Sequence, residues 1–221
     1  MSANLRRLAV ILGAATFVWL LADTLFTLPL PAVDLRPLVS ANLAQSGVTH
    51  PVTAVLLNFR GFDTLLEIAV MLVALIAVLA SLPGDPSRAT VSDDTDEMLP
   101  AFSRMAVPLM LLYALYLLWA GAFRPGGAFQ AGAVLAAAAV LLHLTRLLPA
   151  WAAPGAWLRA GLAGGFLLFL AIAAALLAEG ALLKYPPAQA GLLILAIESG
   201  LTVSLGLILA GLFLFLSEER R

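Results

Sequence analysis

QAGLLILAIESGLTVSLGLILAGLFLFL, residues 189–216, is a predominantly apolar run with a single ionisable side chain, Glu198. About 20 residues of helix cross roughly 30 Å of hydrocarbon, so this run is long enough to span a bilayer. A carboxylate held at such depth is costly unless a partner or a water-filled route receives it. No capping role explains an acid that far inside its own helix. Two readings stay open: an ion route and an intramembrane hydrogen bond. Ser199 and Thr202 place hydroxyls beside Glu198, and Gly200 lets another backbone come close.

The rest of the chain repeats the pattern. Further runs at 6–28, 62–82, 102–122, 128–148 and 158–180 are each about the length of a spanning helix. Pro83-Gly84, Pro100, Pro125-Gly126-Gly127, Pro149, Pro154 and Pro186-Pro187 punctuate them where helices stop. With 62% hydrophobic residues, the chain is richer in apolar side chains than soluble domains are. The expected fold is therefore all-α, a multi-pass membrane protein of six spans. A net charge of −1 and 11% charged residues give no polyanion-binding surface, so nucleic acid is not an expected partner. The absence of cysteine rules out disulfides and thiolate metal sites, and two distant histidines make no metal motif. No nucleophile–base pair, phosphate loop or cofactor motif is visible, so neither covalent catalysis nor a cofactor is expected.

Arg6 and Arg7 precede the first run, which is too long for a signal-peptide core and reads as a retained span. An N-terminus inside puts Arg6, Arg7, Arg88, Arg104, Arg146, Arg159, Arg220 and Arg221 on the cytoplasmic side. Arg36, Arg60, Arg124 and Lys184 then lie outside, and this bias supports cytoplasmic termini. Residues 29–61 read as an external excursion with a short helix at Val52 to Phe59, lying at the interface. Residues 83–100, with Asp85, Asp93, Asp94, Asp96 and Glu97, read as a solvated cytoplasmic linker between two modules, 1–82 and 101–221. Small residues such as Ala136 to Ala139, Gly161, Gly164-Gly165 and Ala173 to Ala175 let helices approach closely.

Among the acids, Asp63 and Glu67 are one turn apart and share a face of the second span. Such a pair can pass a proton or hold a cation. The plainer reading of Asp63 is a helix-start charge neutralised by Arg60. His143, three residues before Arg146, is either a proton shuttle or a helix–helix hydrogen-bonder. Glu179 ends the fifth span, and an interfacial pair with Lys184 accounts for it equally well. In the outer turn Arg124 to Gln130, the glycines permit positive φ and close backbone approach.

The string Val55-Leu56-Leu57-Asn58-Phe59-Arg60-Gly61-Phe62-Asp63-Thr64-Leu65-Leu66-Glu67-Ile68 resembles the "DFRGFDTLGE" segment of a small E-type module. That module occurs in membrane-bound hydrogenases and at the C-terminal end of the large A-type component of Mrp-type Na+/H+ antiporters. Asn58 stands where the motif is acidic, and Leu66 where it has glycine. Pro125-Gly126-Gly127-Ala128-Phe129 resembles the "PGGGF" signature of the B-type component of the same antiporters, and Glu198-Ser199-Gly200 its "D-x-G" turn. The resemblance implies a natural fusion of the two modules in a bacterial inner membrane. It implies large A- and D-type proton-translocating partners and small C-, E-, F- and G-type partners. It also implies Na+ and H+ as the ions carried, with Asp63, Glu67 and Glu198 along a half-channel. The alternatives are a module of a redox-driven complex and a purely structural scaffold.

Overall fold

The computed structural model describes residues 3–28, 34–81, 98–148, 155–178, 180 and 182–218. Glu179 and the acidic linker as far as Glu97 lie outside the described residues. The chain divides into two compact units, residues 1–37 and 38–221. In the first, α1 (Ala3–Phe26) is a helix whose apolar stretch, Val10–Phe26, falls short of a full span. Its threonine hydroxyls fold back onto the helix: Thr16 donates to the Leu12 carbonyl and Thr24 to that of Leu20.

Two short helices, α2 (Arg36–Asn42) and α3 (Pro51–Ala54), follow, with a π turn at Val55–Phe59 after the second. The longer helices of the second unit are α4 (Gly61–Ser81), α5 (Met98–Ala120), α6 (Ala128–Leu144), α7 (Ala156–Ala178) and α8 (Ala190–Glu218). Among the described residues, α4, α5, α7 and the Ala190–Phe215 part of α8 are long and apolar enough to cross a membrane. The protein is an all-α, multi-pass membrane protein. Helix α6 has 17 residues, about 25 Å at 1.5 Å per residue. It stops at Leu144, short of the expected 148, because Arg146 takes a positive φ of 56° and turns the chain. Helix α5 starts four residues earlier than expected. Pro100 falls in its first turn, where the missing N–H has no helical partner to lose.

Helix α8 is the axis, with α4, α6 and α7 packed around it and α5 mainly against α6. Its Ile194, Ile197, Leu201, Leu205 and Ile208 are fully buried at helical spacing. Lipid tails are as apolar as leucine, so the burial of these side chains does not by itself drive helix association. Close backbone contact does. A Cβ on Gly165 would lie 2.5 Å from the Gly200 carbonyl oxygen, and one on Gly132 would lie 2.8 Å from the Leu205 Cβ. The Ser204 hydroxyl donates across the same seam to the Leu162 carbonyl.

The excursion before α4 holds the expected short helix over Val52 to Phe59, refined in detail: a single α turn, Pro51–Ala54, widens into the π turn. Thr53, Ala54 and Leu57 are buried against the rest of the unit. The widened turn frees the Leu56 carbonyl, which accepts the Thr64 hydroxyl at 2.6 Å. The Asn58 amide donates to the Ser46 carbonyl at 3.0 Å.

Candidate functional site

The turn between α5 and α6 fixes the site. The Leu117 carbonyl accepts both the Gly121 N–H (3.1 Å) and the Gly127 N–H (2.8 Å), so the chain doubles back tightly. A Cβ on Gly126 would lie 2.5 Å from that carbonyl oxygen. Gly127 has φ 106°, and a Cβ there would lie 2.6 Å from Oε1 of Glu198. Glycine is required at both positions, at the second for conformation and space together.

Helix α6 begins at Ala128, and its N-cap, Gly127, has no side chain to satisfy the first free N–H groups. Glu198 fills that role from another helix. Its carboxylate, 4% exposed, accepts the Ala128 N–H at the positive end of α6. The sequence expectation of no capping role at that depth is corrected here: the helix capped is α6, not α8. The neighbouring hydroxyls do not reach the carboxylate. Thr202 donates to the Glu198 backbone carbonyl at 2.7 Å, and Ser199 to that of Leu195 at 2.7 Å.

The segment before α4 closes the second side. The Ala122 carbonyl accepts the N–H groups of Thr49 (2.9 Å) and His50 (3.1 Å), and the Thr53 hydroxyl donates to the Gly121 carbonyl. Between these walls lies a cavity of about 250 Å³, lined by Thr53, Thr64, Glu67, Gln130 and Glu198 together with Leu56, Leu57, Phe129 and Leu201. A cavity that size holds several waters. Its polar groups come from α3, α4, α6 and α8, which are far apart in sequence.

Glu67 and Glu198 thus share one cavity, yet their settings differ. Glu67 is exposed on α4 and has no ion-pair or hydrogen-bond partner among the described residues. Asp63 is not part of the cavity lining; it pairs with Arg60, whose side chain is largely exposed, while its own is about half exposed. Gly61 lets α4 start against Leu183, whose Cδ1 would lie 3.3 Å from a Cβ at that position. His143 sits in the last turn of α6, about 22 Å along the helix from Ala128. Its Nδ1 is enclosed without a hydrogen-bond partner among the described residues. Between α7 and α8 the Tyr185 hydroxyl is enclosed in the same way, and burial pushes its phenol well above the ordinary range. Among the described residues, no three His, Asp or Glu side chains gather as a metal ion would need.

Thr53, Thr64 and Gln130 are lining residues that the sequence reading did not single out. Gln130 carried a signal, as a polar side chain in the first turn of an alanine-rich helix. The threonines carried none, because their place depends on the π turn.

Residues 98–216 match the family described as a domain related to the MnhB subunit of the Na+/H+ antiporter. A stretch of 79 residues, 36% of the chain, is 38% identical to a probable K+/H+ antiporter protein of Rhizobium meliloti (strain 1021), its A/B component. The chain covers only 8% of that relative's length. Two solved structures share the fold at 22% identity and a TM-score of 0.72. One is a chain of the archaeal membrane-bound sulfane sulfur reductase, with 96% of this chain and 98% of that one covered. The other belongs to the Mrp complex of Dietzia sp. DQ12-45-1b, with 98% of this chain and 26% of that one covered.

Proposed function

This chain belongs to the family of domains related to the MnhB subunit of the Na+/H+ antiporter, and from that premise we propose that it is an accessory component of a multisubunit cation/proton antiporter. It contributes part of a cation or proton pathway where its neighbours in the complex meet it. One observation carries the reading: Glu67 and Glu198, from helices distant in sequence, line one cavity large enough for several waters, and Glu67 is exposed on α4. An exposed carboxylate at membrane depth needs water, an ion or another protein against it.

The partners are large A- and D-type and small C-, E-, F- and G-type subunits in a bacterial inner membrane, with residues 1–82 as the E-type part and 101–221 as the B-type part. The A/B name of the Rhizobium relative agrees with such a join. The cation is Na+ or K+, since the matched family is named for one and that relative for the other.

The test is antiport in everted vesicles carrying the complete gene cluster, with Glu67→Gln and Glu198→Gln. Glutamine keeps an acceptor for Ala128 and removes the charge. Exchange should fall at least about tenfold in each variant, in Na+, K+ or both, as expected when a group essential to an intramembrane ion path loses its charge. Undiminished exchange in both variants would end the assignment.

A second reading has its own support, the nearly complete mutual coverage with a chain of a respiratory complex. There the same cavity serves a redox-driven ion pump. Iron–sulfur subunits co-purifying with the chain would select it.

A further inference from the structure

Most polar side chains in the cavity wall have no hydrogen left to offer. The Thr53 and Thr64 hydroxyls donate to the carbonyls of Gly121 and Leu56, so both hydrogens are committed to backbone. Glu198 accepts the Ala128 N–H, and an ionised carboxylate has no donor of its own; the same holds for Glu67. Val52, Leu56, Leu57, Phe129 and Leu201 add only hydrocarbon. Gln130 differs from all of these. Its amide carries N–H donors and a carbonyl acceptor together, and no hydrogen bond holds it among the described residues.

Its place matters as much as its chemistry. A Cβ on Gly127 would lie 2.6 Å from Glu198 Oε1 and 3.9 Å from Gln130 Oε1. The acid and the amide therefore converge on the one residue of this turn whose missing side chain leaves room between them. Glu198 is enclosed, whereas Gln130, like Glu67, is exposed. An enclosed acid needs an intermediary to exchange a proton with its surroundings, and Gln130 is the uncommitted polar group beside it.

We infer that Gln130 is a positioning residue, whose amide orients water in the cavity so that a proton passes between Glu198 and Glu67. The inference deepens the antiporter reading above and rests on it. An amide does not titrate near neutral pH, so it acts by orientation alone: its N–H groups hold a water oxygen, and its carbonyl takes a water hydrogen. In each transfer the O–H bond of one acid breaks and that of the other forms, and every water between them ends as it began. The exchanged metal cation does not bind to Gln130.

The test measures exchange in everted vesicles carrying the complete gene cluster, with Gln130→Met. Methionine keeps the length of the side chain and removes its N–H donors and its carbonyl. The maximal rate should fall at least about tenfold, as expected when reacting groups lose their alignment. The cation concentration giving half-maximal exchange should stay within about twofold of wild type. The Tm of the full chain in detergent should not change, because the position is exposed. A raised half-maximal concentration at an unchanged maximal rate would overturn the inference and make Gln130 a cation ligand. A loss of rate accompanied by a large drop in Tm would overturn it as well, since that marks a structural role. Normal exchange in Gln130→Met beside failing Glu67→Gln and Glu198→Gln would remove the inference and leave the antiporter reading standing. Normal exchange in all three variants would remove both.

Discussion

The two walls of the cavity hold the same functional group in opposite ways. On the α6–α8 wall, Glu198 is almost fully enclosed, seated against Gly127 and hydrogen-bonded to the first N–H of α6. On the α4 wall, Glu67 projects from an exposed position with no partner among the described residues. One acid is part of the architecture that it lines, and the other lines the same cavity as an exposed carboxylate. A loss of transport therefore carries different meanings at the two positions, and only a stability measurement alongside it separates them.

The contrast is broken most forcefully at Gly127. Gly127→Ala imposes a Cβ on a positive-φ residue and drives it into Oε1 of Glu198, at a cost of roughly 2–4 kcal/mol. Thermal unfolding of the purified chain in detergent should show a large drop in Tm, or the variant should fail to accumulate. A Tm close to wild type would mean that the turn is not a rigid element.

Glu198→Ala comes next. It strands the buried Ala128 N–H and should cost about 2 kcal/mol, whereas Glu198→Gln should recover most of that stability. Glu67→Ala, at an exposed position without partners, should stay within about 0.5 kcal/mol of wild type while exchange is lost. Equal stability losses at Glu67 and Glu198 would erase the distinction between the walls. A smaller effect is expected outside the cavity. Asp63→Asn breaks a partly exposed pair with Arg60 and should change stability by about 0.5 kcal/mol or less. Antiport should survive that change, and its loss would return Asp63 to the pathway.

The smallest effect concerns pH. The Arg36 guanidinium, helped by the Arg36 N–H, holds the Asp34 carboxyl below its usual range. A lowered carboxyl contributes stability above the ordinary carboxylate range and loses it as pH falls through the lowered value. An NMR titration should find the Asp34 midpoint depressed, and Arg36→Gln should return it upward. The pair is fully solvated, so global stability should barely respond.

Much of this was legible in the residues. Long apolar runs cut by proline and glycine gave the helices to within a few residues at most ends. The reason is elementary: in hydrocarbon every backbone polar group must be paired within its own segment. The glycines at 126 and 127 and the acid at 198 each stood out separately. Their relation did not, because a carboxylate capping a helix some 70 residues earlier leaves no local pattern. His143 illustrates the converse, for its residue type invited a proton-shuttle role, yet it lies at the far end of α6 from the cavity.

Composition and periodicity alone made this an all-α membrane protein with acids in its spans, because bilayer thickness and backbone hydrogen bonding leave few other solutions. The placing of Glu67 and Glu198 along one cavity, with one capping α6 and the other exposed, was decided only in three dimensions. Those outcomes depend on a π turn and on glycine contacts between helices. Both turn on differences of a few tenths of an ångström in packing distance, which one-dimensional spacing does not encode.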